Sequence, residues 1–212
     1  SMGLKRISKE NITDKDWLKK AEKCGKSVDY CISDSDFETM VYRETYFENN
    51  EVLEYGHPRN DILFCDEKRQ AEIKQKVCDA LAVIKHDKHG NPKENIEDIK
   101  MCLYAPTFRD SKSMEFYNVN YDKLIEALEK RFGGEWKVLT KLHFHDRKAQ
   151  IEMPDNPNVI NATDYIDIQE LMVACDIGIT DYSSWICDFV LTGKPGFIFA
   201  TDLEDFNTGR GL

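Results

Sequence analysis

Three short segments of the chain carry side chains suited to anion chemistry, and each follows an apolar run. Residues 106–110 contain Arg109, whose planar guanidinium offers a fork of donors that matches phosphate oxygens. Residues 141–145 place His143 beside Lys141, and an imidazole next to a cation can donate to an anion or act in acid–base chemistry. These residue types indicate recognition of a phosphate group.

The third segment, residues 180–184, runs from an apolar stretch into a predicted helix. Ser183 and Ser184 fall at the start of that helix, where hydroxyls and unpaired backbone N–H groups can bind an anion with help from the helix dipole. Asp188 lies four residues after Ser184 and on the same helix face, so it could contact a ribose or polyol hydroxyl.

Each of these features also has a purely structural interpretation. Arg109 could pair with Asp110 on the surface, His143 could make a structural hydrogen bond, and Ser183 and Ser184 could be ordinary helix caps. His143 and His145 could share a metal ion, but no carboxylate or cysteine spacing supports this. No metal site is therefore predicted.

The common nucleotide-binding signatures are absent from the sequence. There is no GxGxxG fingerprint and no GxxxxGK[ST] loop, and no Asp-x-Asp pair follows a predicted strand. The remaining Arg, His, Ser and Thr donors indicate metal-free recognition of a diphosphate, and no cofactor is predicted.

The elements that must position these segments alternate between strands and helices. Predicted strands cover residues 99–105, 136–142, 159–160, 177–180 and 196–200, and predicted helices cover 68–81, 121–132, 168–175 and 183–191. Upstream, the pattern predicts helices at 12–26 and 35–47, strands at 28–33 and 52–55, and a loop at 56–61. Such alternation is typical of an α/β fold with a doubly wound parallel sheet, which binds ligands beyond the carboxyl ends of its strands.

Composition excludes several classes of protein. Of the 212 residues, 41% are hydrophobic, which rules out global disorder, and the net charge of −10 argues against a basic nucleic-acid-binding protein. Seven scattered cysteines indicate reduced thiols rather than disulfides or zinc ligands. Residues 1–26 are locally basic, which predicts either a solvated helix face or contact with an anionic membrane surface.

Four of the segments together resemble a known family. Gly-His-Pro-Arg-Asn-Asp at 56–61, Pro-Thr-Phe-Arg at 106–109, Lys-Leu-His at 141–143 and Thr-Asp-Tyr-Ser-Ser at 180–184 follow the order and spacing of the CDP-glycerol:glycerophosphotransferases, and the block from Asp164 is the most specific part. The resemblance implies a GT-B-like enzyme of two Rossmann-like halves. It would transfer glycerol phosphate, or a similar polyol phosphate, from a CDP donor to a teichoic-acid or capsule-like polymer at the cytoplasmic face of a bacterial membrane, releasing CMP.

The resemblance also implies roles for individual residues. His143 and Arg109 would be catalytic, and Lys141 stands where the family often has Arg. The loop from Thr163 to Glu170 would lie along the cytidine. The complete set of implied substrate-binding residues is Arg59, Asn60, Thr107, Lys141, Thr163, Asp164, Asp167, Asp181, Ser183, Ser184 and Asp188.

The domain organisation expected from the resemblance is a donor-binding half of a longer enzyme. Residues 1–27 would form a basic segment that follows an N-terminal domain, and residues 28–212 a Rossmann-like domain for the CDP donor. The family's Trp-His-Gly motif is not in the chain, so the isolated chain is expected to bind the donor without turnover. Two alternatives stay open: a GT-B glycosyltransferase or epimerase that uses a UDP-sugar, and a non-catalytic nucleotide-binding module.

Overall fold

The computed structural model describes residues 15–44, 47, 49–86, 88–89, 91–92, 94–107, 119–143 and 154–204. The chain divides into two compact units. The first contains the described residues up to 61 together with 203 and 204, and the second comprises residues 62–202. This division differs from the predicted boundary between residues 27 and 28, because the first two strands pair with each other rather than with the large sheet. The assignment of residues 28–212 to a donor-binding domain stays a prediction.

The first unit contains a two-stranded parallel sheet. Helix α1 (Lys15–Lys26) precedes strand β1 (Tyr30–Ile32), and helix α2 (Asp36–Glu44) leads to strand β2 (Glu51–Leu53), which pairs with β1. A 3₁₀ helix, Pro58–Phe64, then continues into the second unit. A loop was predicted at 56–61, and this prediction is wrong from Pro58 onward. Proline suits the first position of a helix, because its φ is already helical and its missing N–H is not needed there.

The second unit is an α/β layered structure. Its elements are α3 (Glu67–Ala80), β3 (Ile99–Tyr104), α4 (Tyr121–Phe132), β4 (Glu135–Thr140), β5 (Val159–Asn161), α5 (Ile168–Ala174), β6 (Ile177–Thr180), α6 (Trp185–Phe189), a 3₁₀ turn (Val190–Thr192) and β7 (Gly196–Ile198). The five strands are parallel in the order β5-β4-β3-β6-β7. The order reverses between β3 and β6, which is the topological switch point of a doubly wound sheet. The predicted fold class is confirmed.

Both faces of the three inner strands, β3, β4 and β6, are buried, because their side chains alternate between two apolar layers, whereas β5 is half-buried and β7 is exposed. Met101 and Leu103 pack on one face with α3, α5 and α6, whereas Cys102 and Tyr104 pack on the other face with α4. Gly178 in β6 permits close packing of α6, since a Cβ at this position would lie 2.9 Å from the Phe189 ring.

The helix predicted at 183–191 is shorter than expected. Helix α6 spans Trp185–Phe189, and the following turn is 3₁₀ and ends at Gly193, whose φ is +72°. The seven cysteines form no disulfide in the structure; four are buried, Cys65 is half-buried, and Cys24 and Cys187 are exposed. Among the described residues, no helix is both long and apolar enough to span a membrane.

Candidate functional site

The loops that follow β3 and β6 are joined at the switch point by a buried carboxylate. The Oδ1 atom of Asp181 accepts the backbone N–H of Thr107 at 2.8 Å and that of Tyr182 at 2.5 Å. Thr107 and Asp181 are both buried. Asp181 therefore fixes the position where the chain leaves β3 relative to the end of β6.

The carbonyl oxygen of Ala105 is a second connection between these loops. It accepts a hydrogen bond from the Thr180 hydroxyl at 2.7 Å and one from the Trp185 indole N–H at 2.8 Å. Sequence reasoning missed this contact, because an indole in an apolar helix face is read as core packing. These two hydrogen bonds hold the end of β3, the end of β6 and the start of α6 together.

Lys141, at the end of β4, is engaged by the loop that follows β5. Its Nζ atom donates to the carbonyl oxygens of Tyr165 and of Thr163, the latter at 3.3 Å, and the Thr163 hydroxyl accepts the Leu142 N–H at 3.2 Å. His143 follows and is exposed. Lys141 thus holds the 163–165 loop against the end of β4, and its predicted contact with substrate stays a prediction.

The loop after β5 is also held at its far end. Asp167 caps α5 by accepting the N–H groups of Gln169 at 2.9 Å and of Glu170 at 3.4 Å, while Asp164 is exposed. The Tyr165 hydroxyl donates to Glu170 at 2.6 Å. This loop presents exposed polar groups on a backbone fixed at both ends.

Glu170 forms an ion pair and a hydrogen bond that hold that loop in place. Its two carboxylate oxygens lie 2.5 and 2.8 Å from Nζ of Lys76. Hydrogen bonds from Lys76 and Tyr165 hold the pKa of Glu170 below its usual value. Burial, together with the bond to Glu170, raises the pKa of the Tyr165 hydroxyl. No sequence pattern indicates this cluster, because Lys76 and Glu170 are 94 residues apart.

The start of α6 has fewer features of an anion-binding site than the sequence predicts. Ser184 occupies the N-cap position but its side chain makes no capping hydrogen bond, and α6 has only five residues, so its dipole is small. Ser183 and Ser184 are half-buried. Asp188 is buried, so it is less accessible to a ligand hydroxyl than predicted.

The structure therefore brings part of the predicted set together. Thr107, Lys141, Thr163 and Asp181 lie at the carboxyl ends of β3, β4, β5 and β6, along one edge of the sheet. Arg59, which is exposed, and Asn60, which is buried, lie in the first unit. Arg109 and His145 lie outside the described residues.

An apolar cavity of about 510 Å³ lies beside the α4 face of the sheet. It is lined by residues of β3, α4, β6, β7 and their flanks, including Leu124, Phe132, Ile179 and Phe197. None of the predicted site residues lines it. A diphosphate needs concentrated donors, so this apolar cavity does not fit the chemistry that the sequence predicts.

A family model described as CDP-Glycerol:Poly(glycerophosphate) glycerophosphotransferase matches residues 1–212. The chain belongs to this family. The predicted resemblance is confirmed, and it covers both units of the structure.

Curated members of this glycerophosphotransferase family are similar to the chain over most of its length. The teichoic acid poly(glycerol phosphate) polymerase of Staphylococcus epidermidis is 30% identical over 191 residues, which is 87% of this chain and 24% of that protein. The teichoic acid glycerol-phosphate primase of Bacillus subtilis is 29% identical over 220 residues, which is 99% of this chain and 50% of that protein. The chain thus spans between about a quarter and a half of these relatives.

Solved structures of the family agree with the fold. The wall teichoic acid polymerase TagF superposes with a TM-score of 0.74 at 25% identity, covering 97% of this chain and 49% of TagF. A TagF variant soaked with CDPG gives a TM-score of 0.69 at 25% identity, over 97% of this chain and 48% of the variant.

Proposed function

We propose that the protein carrying this chain transfers glycerol phosphate, or a similar polyol phosphate, from a CDP-activated donor to a hydroxyl of a teichoic-acid-like polymer. The observation that carries this proposal is the family match over the whole chain. Relatives that act with glycerol phosphate and with ribitol phosphate both match, at 27–30% identity. They favour a polyol-phosphate transferase over a nucleotide-sugar enzyme or a non-catalytic module.

The carboxyl edge of the five-stranded sheet is the proposed site for the donor. Ligands of doubly wound sheets bind at the switch point, and here it lies between Thr107 and Asp181. The loop from Thr163 to Asp167 is suited to contact the nucleoside, because its backbone is fixed at both ends and its polar groups are exposed.

The proposed chemistry is a displacement at phosphorus. The oxygen of the acceptor hydroxyl forms a bond to the β-phosphorus of the donor and its proton passes to a general base. The bond from that phosphorus to the bridging oxygen breaks, and CMP leaves with the electron pair. Negative charge then grows on the leaving phosphate. Arg109, His143 and the Ser183–Ser184 region are assigned to stabilise that charge, and one such donor contributes about 3 kcal/mol in comparable sites.

The proposed location is the cytoplasmic face of a bacterial membrane, without a spanning segment in the described part. Helix α1 carries Lys15, Lys19, Lys20, Lys23 and Lys26 against two acidic residues. An anionic lipid surface attracts such a basic amphipathic helix.

A thermal-stability panel tests the proposed donor. CMP and CDP-glycerol should stabilise the 212-residue chain, with UMP and UDP-glucose clearly weaker, and a ligand at 100 times its dissociation constant should add about 2.7 kcal/mol. Arg109→Ala should reduce the effect of CDP-glycerol more than that of cytidine, while the matched variant Arg131→Ala should change neither. Equal stabilisation by CMP and UMP would contradict cytidine selectivity.

A further inference from the structure

Three ionisable side chains of the first unit converge at the ends of its two strands. Asp34 follows β1, Glu38 lies in the first turn of α2, and His57 follows β2. Since β1 and β2 are parallel, their carboxyl ends meet at the same edge of the sheet. The pairing of these strands therefore assembles a cluster that is spread over 24 positions of the sequence, from 34 to 57.

The three side chains offer ligand atoms at close range. The Nε2 atom of His57 lies 2.9 Å from Oε2 of Glu38 and 3.8 Å from Oδ2 of Asp34. One ligand atom from each residue lies within 4.8 Å of the other two. The cluster has the size of a metal coordination shell.

Two of the three side chains in this cluster are largely buried. Glu38 is only 5% exposed, and the His57 side chain is 11% exposed. His57 is close to Glu38, at 2.9 Å, and farther from Asp34, at 3.8 Å, and the Asp34 side chain is 40% exposed.

Neighbouring groups orient the carboxylates toward this point. The Ser35 hydroxyl donates to Oδ1 of Asp34 at 2.8 Å, which leaves Oδ2 on the side of His57. The backbone N–H of Asp34 donates to Oε2 of Glu38 at 2.9 Å. Hydrogen bonds of this kind orient the side chains that bind a metal ion.

We propose that Asp34, Glu38 and His57 bind one divalent transition-metal ion, for which Zn²⁺ is the best fit. One imidazole nitrogen and two carboxylate oxygens form a three-ligand set with an open fourth position. Zinc bonds of about 2.05 Å in a tetrahedron place ligand atoms roughly 3.3 Å apart, which lies between the observed 2.9 and 3.8 Å. The imidazole favours zinc over Mg²⁺.

The ion would join the loop after β1 to the loop after β2 and so stabilise the first unit. This stabilising role does not require the proposed transfer reaction, although Arg59 and Asn60, which are predicted to bind substrate, follow His57 in the same unit. A metal bound to the native state raises stability according to its affinity.

The test is calorimetric titration of the metal-stripped 212-residue chain with Zn²⁺. The exposed cysteines are replaced first, as Cys24→Ser and Cys187→Ser, so that they do not bind zinc. We expect one equivalent of Zn²⁺, a raised melting temperature, and little binding of Mg²⁺ at the same concentration. Asp34→Asn, at an exposed position, should weaken Zn²⁺ binding at least tenfold and His57→Gln on the order of 100-fold.

His86→Gln is the matched control, since His86 is an exposed histidine of the second unit. It should leave the affinity for Zn²⁺ unchanged. The proposal is overturned if the parent chain binds no Zn²⁺, or if Asp34→Asn and His57→Gln bind it as tightly as the parent while circular dichroism shows them folded.

Discussion

Asp176 and Asp181 flank the two ends of β6, and each accepts a backbone N–H from the β3 segment at 2.8 Å. Asp176 accepts the N–H of Met101 at the amino end, and Asp181 accepts that of Thr107 at the carboxyl end. The two carboxylates perform the same structural task at opposite edges of the sheet. Doubly wound sheets bind ligands at the carboxyl edge, which is the edge where Asp181 lies.

This symmetry gives a matched pair of variants. Asp181→Ala should destabilise the chain, by about 1–3 kcal/mol for each buried N–H left unpaired, and should also weaken CDP-glycerol binding about tenfold because the Thr107 loop shifts. Asp176→Ala should destabilise the chain less, because one N–H rather than two loses its acceptor, and should leave affinity unchanged. Urea unfolding and calorimetry measure the two effects. Equal loss of affinity in both variants would show that Asp181 has no special role at the site.

Lys141 provides a second prediction. Lys141→Met keeps the aliphatic stem but removes the bonds to the carbonyls of Thr163 and Tyr165, so the loop should loosen. Cytidine and CDP-glycerol should then weaken by the same factor, about 5–10-fold, which corresponds to roughly 1–1.4 kcal/mol. A larger loss for CDP-glycerol than for cytidine would instead indicate direct contact with the diphosphate.

Lys100→Met is the control for that experiment. Nζ of Lys100 also donates to a carbonyl, that of Phe132, at 2.7 Å, and this contact lies near the amino edge of the sheet. Loss of this hydrogen bond should lower the free energy of unfolding without a change in the affinity for either ligand.

The Lys76–Glu170 pair predicts a pH dependence of folding. Because the pKa of Glu170 is lowered in the folded state, the ionised carboxylate stabilises the fold fully above its ordinary pKa near 4.5. That contribution is lost as the pH falls through the lowered folded-state value. Lys76→Met should therefore flatten the loss of unfolding free energy below about pH 4.5.

Lys74→Met separates this charge effect from a general loss of stability. Lys74 lies on the same helix, but its Nζ donates to the carbonyl of Ile99 at 2.7 Å rather than to a carboxylate. The variant should be less stable at all pH values and keep the parent's slope in acid. If Lys76→Met keeps that slope as well, Glu170 is not the titrating group.

The bounds of helices and strands in the second unit were predicted well where the apolar spacing agreed with the positions of helix-ending residues. Helix α4 and strand β6 have the predicted bounds, since Gly133–Gly134 ends the first and both carry clear periodicity. The helix predicted at 183–191 has other bounds in the structure, where α6 spans Trp185–Phe189, packs in the core, and is followed by a 3₁₀ turn at Val190–Thr192. Local propensity does not contain that tertiary constraint.

The candidate site was predictable in position but less so in its contacts. The predicted strand ends placed Thr107, Lys141 and Asp181 at the carboxyl edge of the sheet, where the structure has them, because parallel strands share one carboxyl end. The sequence could not show that backbone carbonyls engage Lys141, or that strand pairing brings Asp34 close to His57. Both depend on chain segments that meet only in the folded structure.

Hydrogen exchange of backbone amides, with and without CDP-glycerol, tests the central claim most directly. If the carboxyl edge of the five-stranded sheet binds the donor, the ligand should slow exchange in residues 104–107, 141–143, 161–167 and 180–184, and leave the amino ends of the same strands unchanged. Protection confined to α4 and β7, around the apolar cavity, would contradict the account, as would no protection at a ligand concentration that raises the melting temperature.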